Sequence, residues 1–211
     1  MNQKVILVGA GGFGREVISW ATDAHLHGKF PKIAGFLDDN SKALDDFDYG
    51  IPFLGEIETY QPYENDVFLL GVANPPTKEK VVQLLKSKGG IFLTLIHPTA
   101  VVTRTAVIGE GVVICPFALI SADTKIGSYV TVNAMSSIGH DSIIGDYSTL
   151  SGHVDVTGQV VVGESVFFGS GAKVVPRIKI GSGAKIGAGC TVMRSVSPSV
   201  TVYTAPARKL F

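Results

Sequence analysis

The sequence predicts two folds in tandem, a parallel α/β domain followed by a parallel β-helix. Three observations predict this. Short apolar runs alternate with helical stretches up to about residue 95, a glycine-rich turn separates the first run from the first helix, and an unbroken six-residue period governs the chain from about residue 98. Alternating strands and helices build parallel sheets from βαβ units. A hexapeptide period builds a parallel β-helix with a few short strands per coil.

In the first part, Lys4–Val8 is a short β-branched run and reads as a buried strand, broken by the glycines from Gly9 to Gly14. Residues 14–24 read as a helix. Ile33–Leu37 is a second strand, ending at Asp38 and Asp39. Residues 67–72 form a third, followed by Pro75 and Pro76 and by a helix over 78–88 with Val81, Val82, Leu84 and Leu85 on its apolar face. Residues 91–96 read as a fourth strand, and the α/β domain is assigned residues 1–97.

In the second part, every sixth residue from Val102 through Ile108, Ile114 and Ile120 to Ile180, Ile186 and Val192 is a large aliphatic or a phenylalanine. The residue two before each is small or β-branched, as at Ala100, Ala118, Thr124, Ala172 and Cys190. Glycine follows the repeat position at 109, 127, 139, 145, 163, 169, 181 and 187. The large side chain fills the coil and the small one lets the chain turn a corner. The β-helix is assigned residues 98–200. The tail, 201–211, contains Pro206 and basic residues and reads as a terminal cap or interface segment. Val160, Val162 and Phe168 are inward by the period, which leaves Val161 and Phe167 for an outer face, and large exposed apolar side chains suggest an interface.

Composition excludes several classes. The 18 basic and 18 acidic residues of the 211 balance, against the basic excess of a nucleic-acid or anionic-membrane surface. No apolar run approaches a membrane span, and the first ten residues lack the apolar core and cleavage site of a signal peptide. Cys115 and Cys190 give neither a disulfide framework nor metal-ligand spacing. A reduced, cytoplasmic protein is the plain reading.

Gly9 to Gly14 carry the G-x-G-x-x-G spacing between a strand and a helix, where glycines allow close backbone approach and the helix N-terminus attracts phosphate. Asp38, at the end of the second strand, is placed to accept ribose hydroxyls. An NAD-dependent oxidoreductase would need a second half of the doubly wound fold for the nicotinamide. One half (a half-Rossmann domain) suits a mononucleotide, as in a nucleotide diphosphate sugar. A loop without ligand is the remaining reading.

The six-residue repeat, the glycine-rich front domain, the Leu95-Ile96-His97-Pro98 junction, the Gly139-His140-Asp141 turn and the Pro-Ala-Arg tail at 206–208 resemble the PglD/NeuD group of hexapeptide-repeat sugar acyltransferases. The resemblance implies a left-handed β-helix, a homotrimer with active sites between subunits, acetyl-CoA as acyl donor, a nucleotide-linked amino sugar as acceptor, and no metal. It places the nucleotide sugar at Gly11, Gly12, Phe13, Asp38, Asp39 and Asn74. Relatives often carry a polar residue where this chain has Phe13, which suggests packing against a methyl face, as a 6-deoxy sugar offers.

His140 lies two residues past Ile138, at a coil corner pointing outward, and Asp141 is placed to orient its ring and raise its basicity. The resemblance makes His140 the general base with Asp141 its adjacent acid, puts Asn133 close by, and makes Gly158 the donor to an oxyanion. It puts coenzyme A at Thr149, Ser170 and Ala188, with a histidine in some relatives where Thr149 stands. His153 has too few histidine neighbours in the repeats for a zinc site, since His97, His25 and His27 precede them. Cys115 and Cys190 read as small packed residues. The expected activity is N-acetylation of the 4-amino group of a nucleotide-linked 4-amino-4,6-dideoxy sugar. O-acetylation of sialic acid or a related sugar, and a non-catalytic assembly role, are the alternatives.

Overall fold

A computed structural model describes residues 3–205 and 207–209. Pro206, on which part of the tail reading rests, lies outside the described residues. Five parallel strands form the front sheet: β1 (Lys4–Val8), β2 (Ile33–Leu37), β3 (Phe53–Gly55), β4 (Asp66–Leu70) and β5 (Ile91–Phe92), in the order β3-β2-β1-β4-β5. Helices α1 (Gly12–Leu26) and α2 (Pro75–Ser87) carry the crossovers. The central strands are apolar on both faces because helices and the second domain cover them.

Three local features differ from the sequence reading. Strand β3 was not expected: it has only three residues, between Pro52 and a glycine of positive φ. Helix α2 begins at Pro75 rather than 78, because proline suits the first helical turn and Asn74 caps it by accepting the Thr77 N–H. The single strand expected over 91–96 is two. Ile91–Phe92 pairs with β4, whereas Leu95–Ile96 pairs with Val113–Ile114 and begins the β-helix.

Each strand of the β-helix pairs with the strand 18 residues on, so three hexapeptides make one coil. Three flat faces result. Face 1 has seven strands, from Leu95–Ile96 to Thr201–Val202; face 2 has six, from Val101–Val102 to Thr191–Val192; face 3 has five, from Val107–Ile108 to Lys179–Ile180. The last strand of face 1 pairs sixteen residues after its neighbour, so the period breaks while the pairing continues into residues 201–202. The repeat residues from Ile114 to Val192 fill the interior, together with the small residues two before them. Val161 is exposed and Phe167 half-buried, on the outer surface as the period requires.

The corners turn by left-handed backbone. The third residue after each inward aliphatic, from Gly111 to Gly189, has positive φ, and most are not glycine. That conformation costs about 1–2 kcal/mol per residue. The stack holds it, because the corner N–H donates to the coil below, as Asp141 does to the Ala122 carbonyl at 3.1 Å and Gln159 to that of His140 at 2.8 Å.

The front domain docks on face 1 and the corners flanking it. Phe92 meets Tyr129 edge-on, Tyr129 stacks on Tyr147, and Lys86 pairs with Glu110 at 2.9 Å. At the junction, His97 is buried and its Nε2 reaches Asp23 of α1 at 2.9 Å. Lys78 is fully buried, with no carboxylate paired to it among the described residues. Its ammonium nitrogen donates to the Thr131 and Thr149 hydroxyls, each at 2.9 Å, and to the Ser148 carbonyl at 3.4 Å. Burial lowers its pKa to about 7, against a small opposing effect of Cys115.

Two predictions follow from this packing. Phe168→Ala, in the closed interior, is expected to cost about 3–5 kcal/mol of unfolding free energy, and Lys173→Ala, on the outer face, less than about 0.5 kcal/mol; denaturant titration checks both. For Lys78, the unfolded chain keeps its proton up to about pH 10.4, while the folded chain releases it near pH 7. Stability therefore rises with pH between those values and is lost as pH falls toward 7, by at most about 4 kcal/mol. Lys78→Met should flatten that part of the melting-temperature profile between about pH 7 and 9.5.

Candidate active site

His140 and Gly158 occupy the same position on consecutive coils, at the corner after face 2. The His140 ring is exposed and stands on an open edge. Its Nδ1 lies 2.7 Å from Asp141 Oδ2. A carboxylate only accepts, so Nδ1 carries the proton and Nε2 presents the lone pair. The left-handed conformation of Asp141, φ 59°, turns its carboxylate back to the ring. Gly158 underlies the other side of the imidazole. A Cβ at 158 would fall 2.5 Å from Nε2 and 2.8 Å from Cε1. The Gly158 N–H has no acceptor among the described residues, while its carbonyl accepts from Arg177 at 3.2 Å. A basic nitrogen and a free backbone donor thus stand side by side at one corner.

The remaining expected residues divide among other places. Asn133, half-buried, sits at the corner after face 1, with Oδ1 accepting the Ala134 N–H at 2.6 Å. Ser170 and Ala188 are exposed on consecutive coils of that same corner, and His153 is exposed there too. This corner lies at a different vertex from His140. One chain therefore does not bring Asn133, Ser170 or Ala188 to His140.

Thr149 requires a correction. It is buried on face 1 beneath the front domain, donates to the Ala73 carbonyl at 2.6 Å and accepts from Lys78. Its hydroxyl is engaged on both sides, so it has no free face for a pantetheine arm.

In the front domain the glycines fall into two groups. A Cβ on Gly14 or Gly71 would lie within 2.2 Å of the Gly9 carbonyl, so close packing of α1 on the sheet requires them. Gly11 and Gly12 are exposed, and a Cβ on either would meet nothing within 4 Å. Packing does not require them to be glycine, whereas close approach of a ligand would. Asp38 is less free than the sequence suggests. Its oxygens accept the Ala10 N–H at 2.7 Å and the Asn40 N–H at 2.9 Å, so it braces the loop, while Asp39 is exposed. Phe13 packs edge-on against Trp20. Asn74 is exposed at the start of α2, its carbonyl oxygen used in capping and its amide left over.

Lys78 is the residue that sequence reasoning missed. Its helical position falls on the buried side with Val81, Val82 and Leu85, which was the available signal. Among the described residues no group of three or more His, Cys, Asp or Glu side chains is placed to hold a metal ion. Among the described residues no helix is long and apolar enough to cross a membrane. A cavity of about 660 Å³ lies at the open C-terminal end of the β-helix, lined by residues such as Met193, Val196 and Tyr203.

Comparison with known proteins fits both halves. Residues 4–85 match the PglD N-terminal domain, and residues 159–194 match the bacterial transferase hexapeptide (six repeats). The chain is 37% identical over 117 residues to UDP-N-acetylbacillosamine N-acetyltransferase of Bacillus subtilis, a match taking in 53% of this chain. It spans about half the length of that curated relative, 51%. The acetyltransferase domain of PglB from Neisseria gonorrhoeae superposes with a TM-score of 0.87 at 28% identity, covering 99% of this chain and 100% of that one, and it has also been solved with acetyl coenzyme A. Perosamine N-acetyltransferase from Caulobacter crescentus, a histidine-to-asparagine variant in complex with CoA and GDP-perosamine, gives 0.84 at 26% identity, covering 99% and 97%. Front domain, repeats and their order together make this chain similar to the PglD-type hexapeptide-repeat proteins.

Proposed function

We propose that the protein is an acetyl-CoA-dependent N-acetyltransferase acting on the 4-amino group of a nucleotide-linked 4-amino-4,6-dideoxy sugar in the cytoplasm. The observation that carries this reading is His140 with its Nε2 free, its Nδ1 held by Asp141 at 2.7 Å, and Gly158, whose N–H is unpaired among the described residues, against the same ring. The names of the relatives, which are sugar N-acetyltransferases, support the substrate class.

In the proposed reaction the sugar amine forms the new N–C bond to the thioester carbonyl carbon and gives its proton to His140 Nε2. The carbonyl oxygen gains negative charge, which the Gly158 N–H stabilises. Collapse breaks the C–S bond, and the imidazolium returns the proton to the departing thiolate. Gly11, Gly12, Asp39 and Asn74 hold the nucleotide sugar, with Phe13 beside it. Ser170 and Ala188 border the coenzyme.

The reading requires more than one chain. The front domain covers face 1, and His140 stands on the opposite vertex of the triangular coil. A sugar held by one front domain therefore meets the histidine of another copy. A homotrimer of parallel β-helices satisfies this, because rotation about a parallel axis preserves axial height. Asn133 precedes His140 by seven residues of the 18-residue coil, about 2 Å of rise at a strand spacing of about 4.8 Å. A neighbour's Asn133 then stands within about 2 Å of the height of His140.

Thiol release from acetyl-CoA, across a panel of UDP-, dTDP- and GDP-linked amino sugars, tests the assignment. Turnover with one of them is expected; turnover only on free sialic acid would favour O-acetylation, and none at all would remove the enzyme claim. With the active sugar, His140→Ala should lower kcat by about 10²–10⁴. Gly158→Ala should abolish most turnover while leaving the melting temperature within a few degrees, since the added methyl displaces only an exposed imidazole. Wild-type rates in Gly158→Ala would contradict the role given to this corner.

A further inference from the structure

We propose that Lys78, Thr131 and Thr149 act as a register pin, positioning residues that fix at which rung of the β-helix the front domain is seated. The functional consequence rests on the reading above.

A β-helix face repeats itself at every rung, about 4.8 Å apart. A partner held only by apolar contacts on such a face can shift by one rung and recover similar contacts. The aromatic contact between the domains has this weakness. Phe92 sits against Tyr129, and the residue stacked on Tyr129 is another tyrosine, Tyr147. The Lys86–Glu110 pair is exposed on both sides and contributes little; the Ser165–Glu79 bond at 3.1 Å and the His97–Asp23 contact at 2.9 Å each engage one coil, and residues 93 and 94 tie the sheet to the first coil.

The outward column of face 1 breaks the repetition. It reads Leu95, Val113, Thr131, Thr149, Phe167, Lys185, Thr201. Adjacent threonines occur there once, and the Lys78 nitrogen bridges them at 2.9 Å to each hydroxyl. A slip of one rung in either direction would exchange one hydroxyl for Val113 or Phe167 and leave a buried amine half-satisfied, which is costly. Directional bonds to two consecutive rungs add to those contacts in selecting one seating. An apolar replacement would bury the same area without that choice.

The pin also reaches the nucleotide loop. Thr149 donates to the Ala73 carbonyl at 2.6 Å, and Ala73 precedes Asn74, the cap of α2. Gly71, two residues earlier, packs against Gly9 and Gly14. The line from Thr149 to the glycine loop is contiguous, so the rung chosen by the pin sets the height of the nucleotide sugar relative to a neighbour's His140.

Spin labels at Ser19→Cys on α1 and Lys173→Cys on face 2 report the seating, with labelled chains diluted in unlabelled ones; the native cysteines are buried. The chain with its native pin should give one narrow distance distribution, and so should Thr149→Ser. The triple replacement Lys78→Met, Thr131→Val, Thr149→Val should melt no lower than the native chain yet broaden the distribution or add a population displaced by about one rung, about 5 Å. An unchanged narrow distribution in the triple variant overturns the proposal. If that variant does not fold, Thr149→Val against Thr149→Ser decides by the same reading. With an active sugar, kcat/KM for the sugar should fall about tenfold or more in the triple variant, while KM for acetyl-CoA stays within about twofold. Absence of turnover in the native chain would sink the acetyltransferase reading and leave the distance measurement to judge the pin.

Discussion

The 18-residue coil decides what each residue of the second domain can touch. A side chain at a corner has, above and below it, the residues 18 positions away, and little else within reach. His140 therefore lies against Gly158 and above Ala122, whatever the rest of the chain does. If 158 carried a side chain, the imidazole would have to swing away from the corner. The same stacking places Gly158 beside the ring and supplies the corner bonds that hold Asp141 in its left-handed conformation. The proposed base, orienting acid and backbone donor would all be consequences of one repeat length, with the glycine as the place where that repeat makes room for the ring.

The front domain follows different rules, and the interface has to reconcile them. Its loop geometry is set by close backbone packing, with Gly14 and Gly71 both pressed on the Gly9 carbonyl and Asp38 bonded to the Ala10 N–H. That makes the loop a rigid object whose position depends on where the domain rests. Much of the interface is apolar and aromatic and supplies affinity between the halves. The buried amine of Lys78 supplies little net stability, because taking an ammonium out of water opposes its hydrogen bonds. A residue that adds so little stability and still occupies the centre of an interface is explained better by the arrangement it selects than by the energy it contributes.

How far the sequence could be read depended on the range of the forces involved. The β-helix interior was legible residue by residue, because a one-dimensional period carries the whole packing rule; Val102 to Val192 needed no knowledge of distant contacts. His140 and Asp141 were legible for the same reason, since position in the repeat states which side chains point outward. Strand β3 was not, because three residues beside a proline and a glycine carry no periodic signal and form a strand only by pairing with β2. The two-part break at 93–94 was hidden because both halves are equally apolar. Thr149 was misplaced for a deeper reason. The resemblance carries its position over without its surroundings, and the surface that Thr149 meets comes from Ala73 and Lys78, more than seventy positions away. Asp38 was legible as an acid at a strand end, but the Ala10 N–H that engages it is a matter of loop geometry.

The division of labour between the halves has a physical logic. Acyl transfer from a thioester to an amine needs one base, one oxyanion donor and good alignment, so the chemical groups are few and fit on a single corner. Alignment is the harder requirement, because near-attack geometry tolerates errors well below an ångström, and the proposed substrates are long and held far from their reacting atoms. A rod whose rungs are spaced by hydrogen bonds acts as a ruler along its axis, and side-by-side association of parallel rods leaves heights on that ruler unchanged. Errors across the axis are then absorbed by packing between copies. Errors along it arise if the front domain is seated on the wrong rung. That is the coordinate on which face 1 carries adjacent threonines in place of aliphatic side chains, and where a lysine is buried to read them.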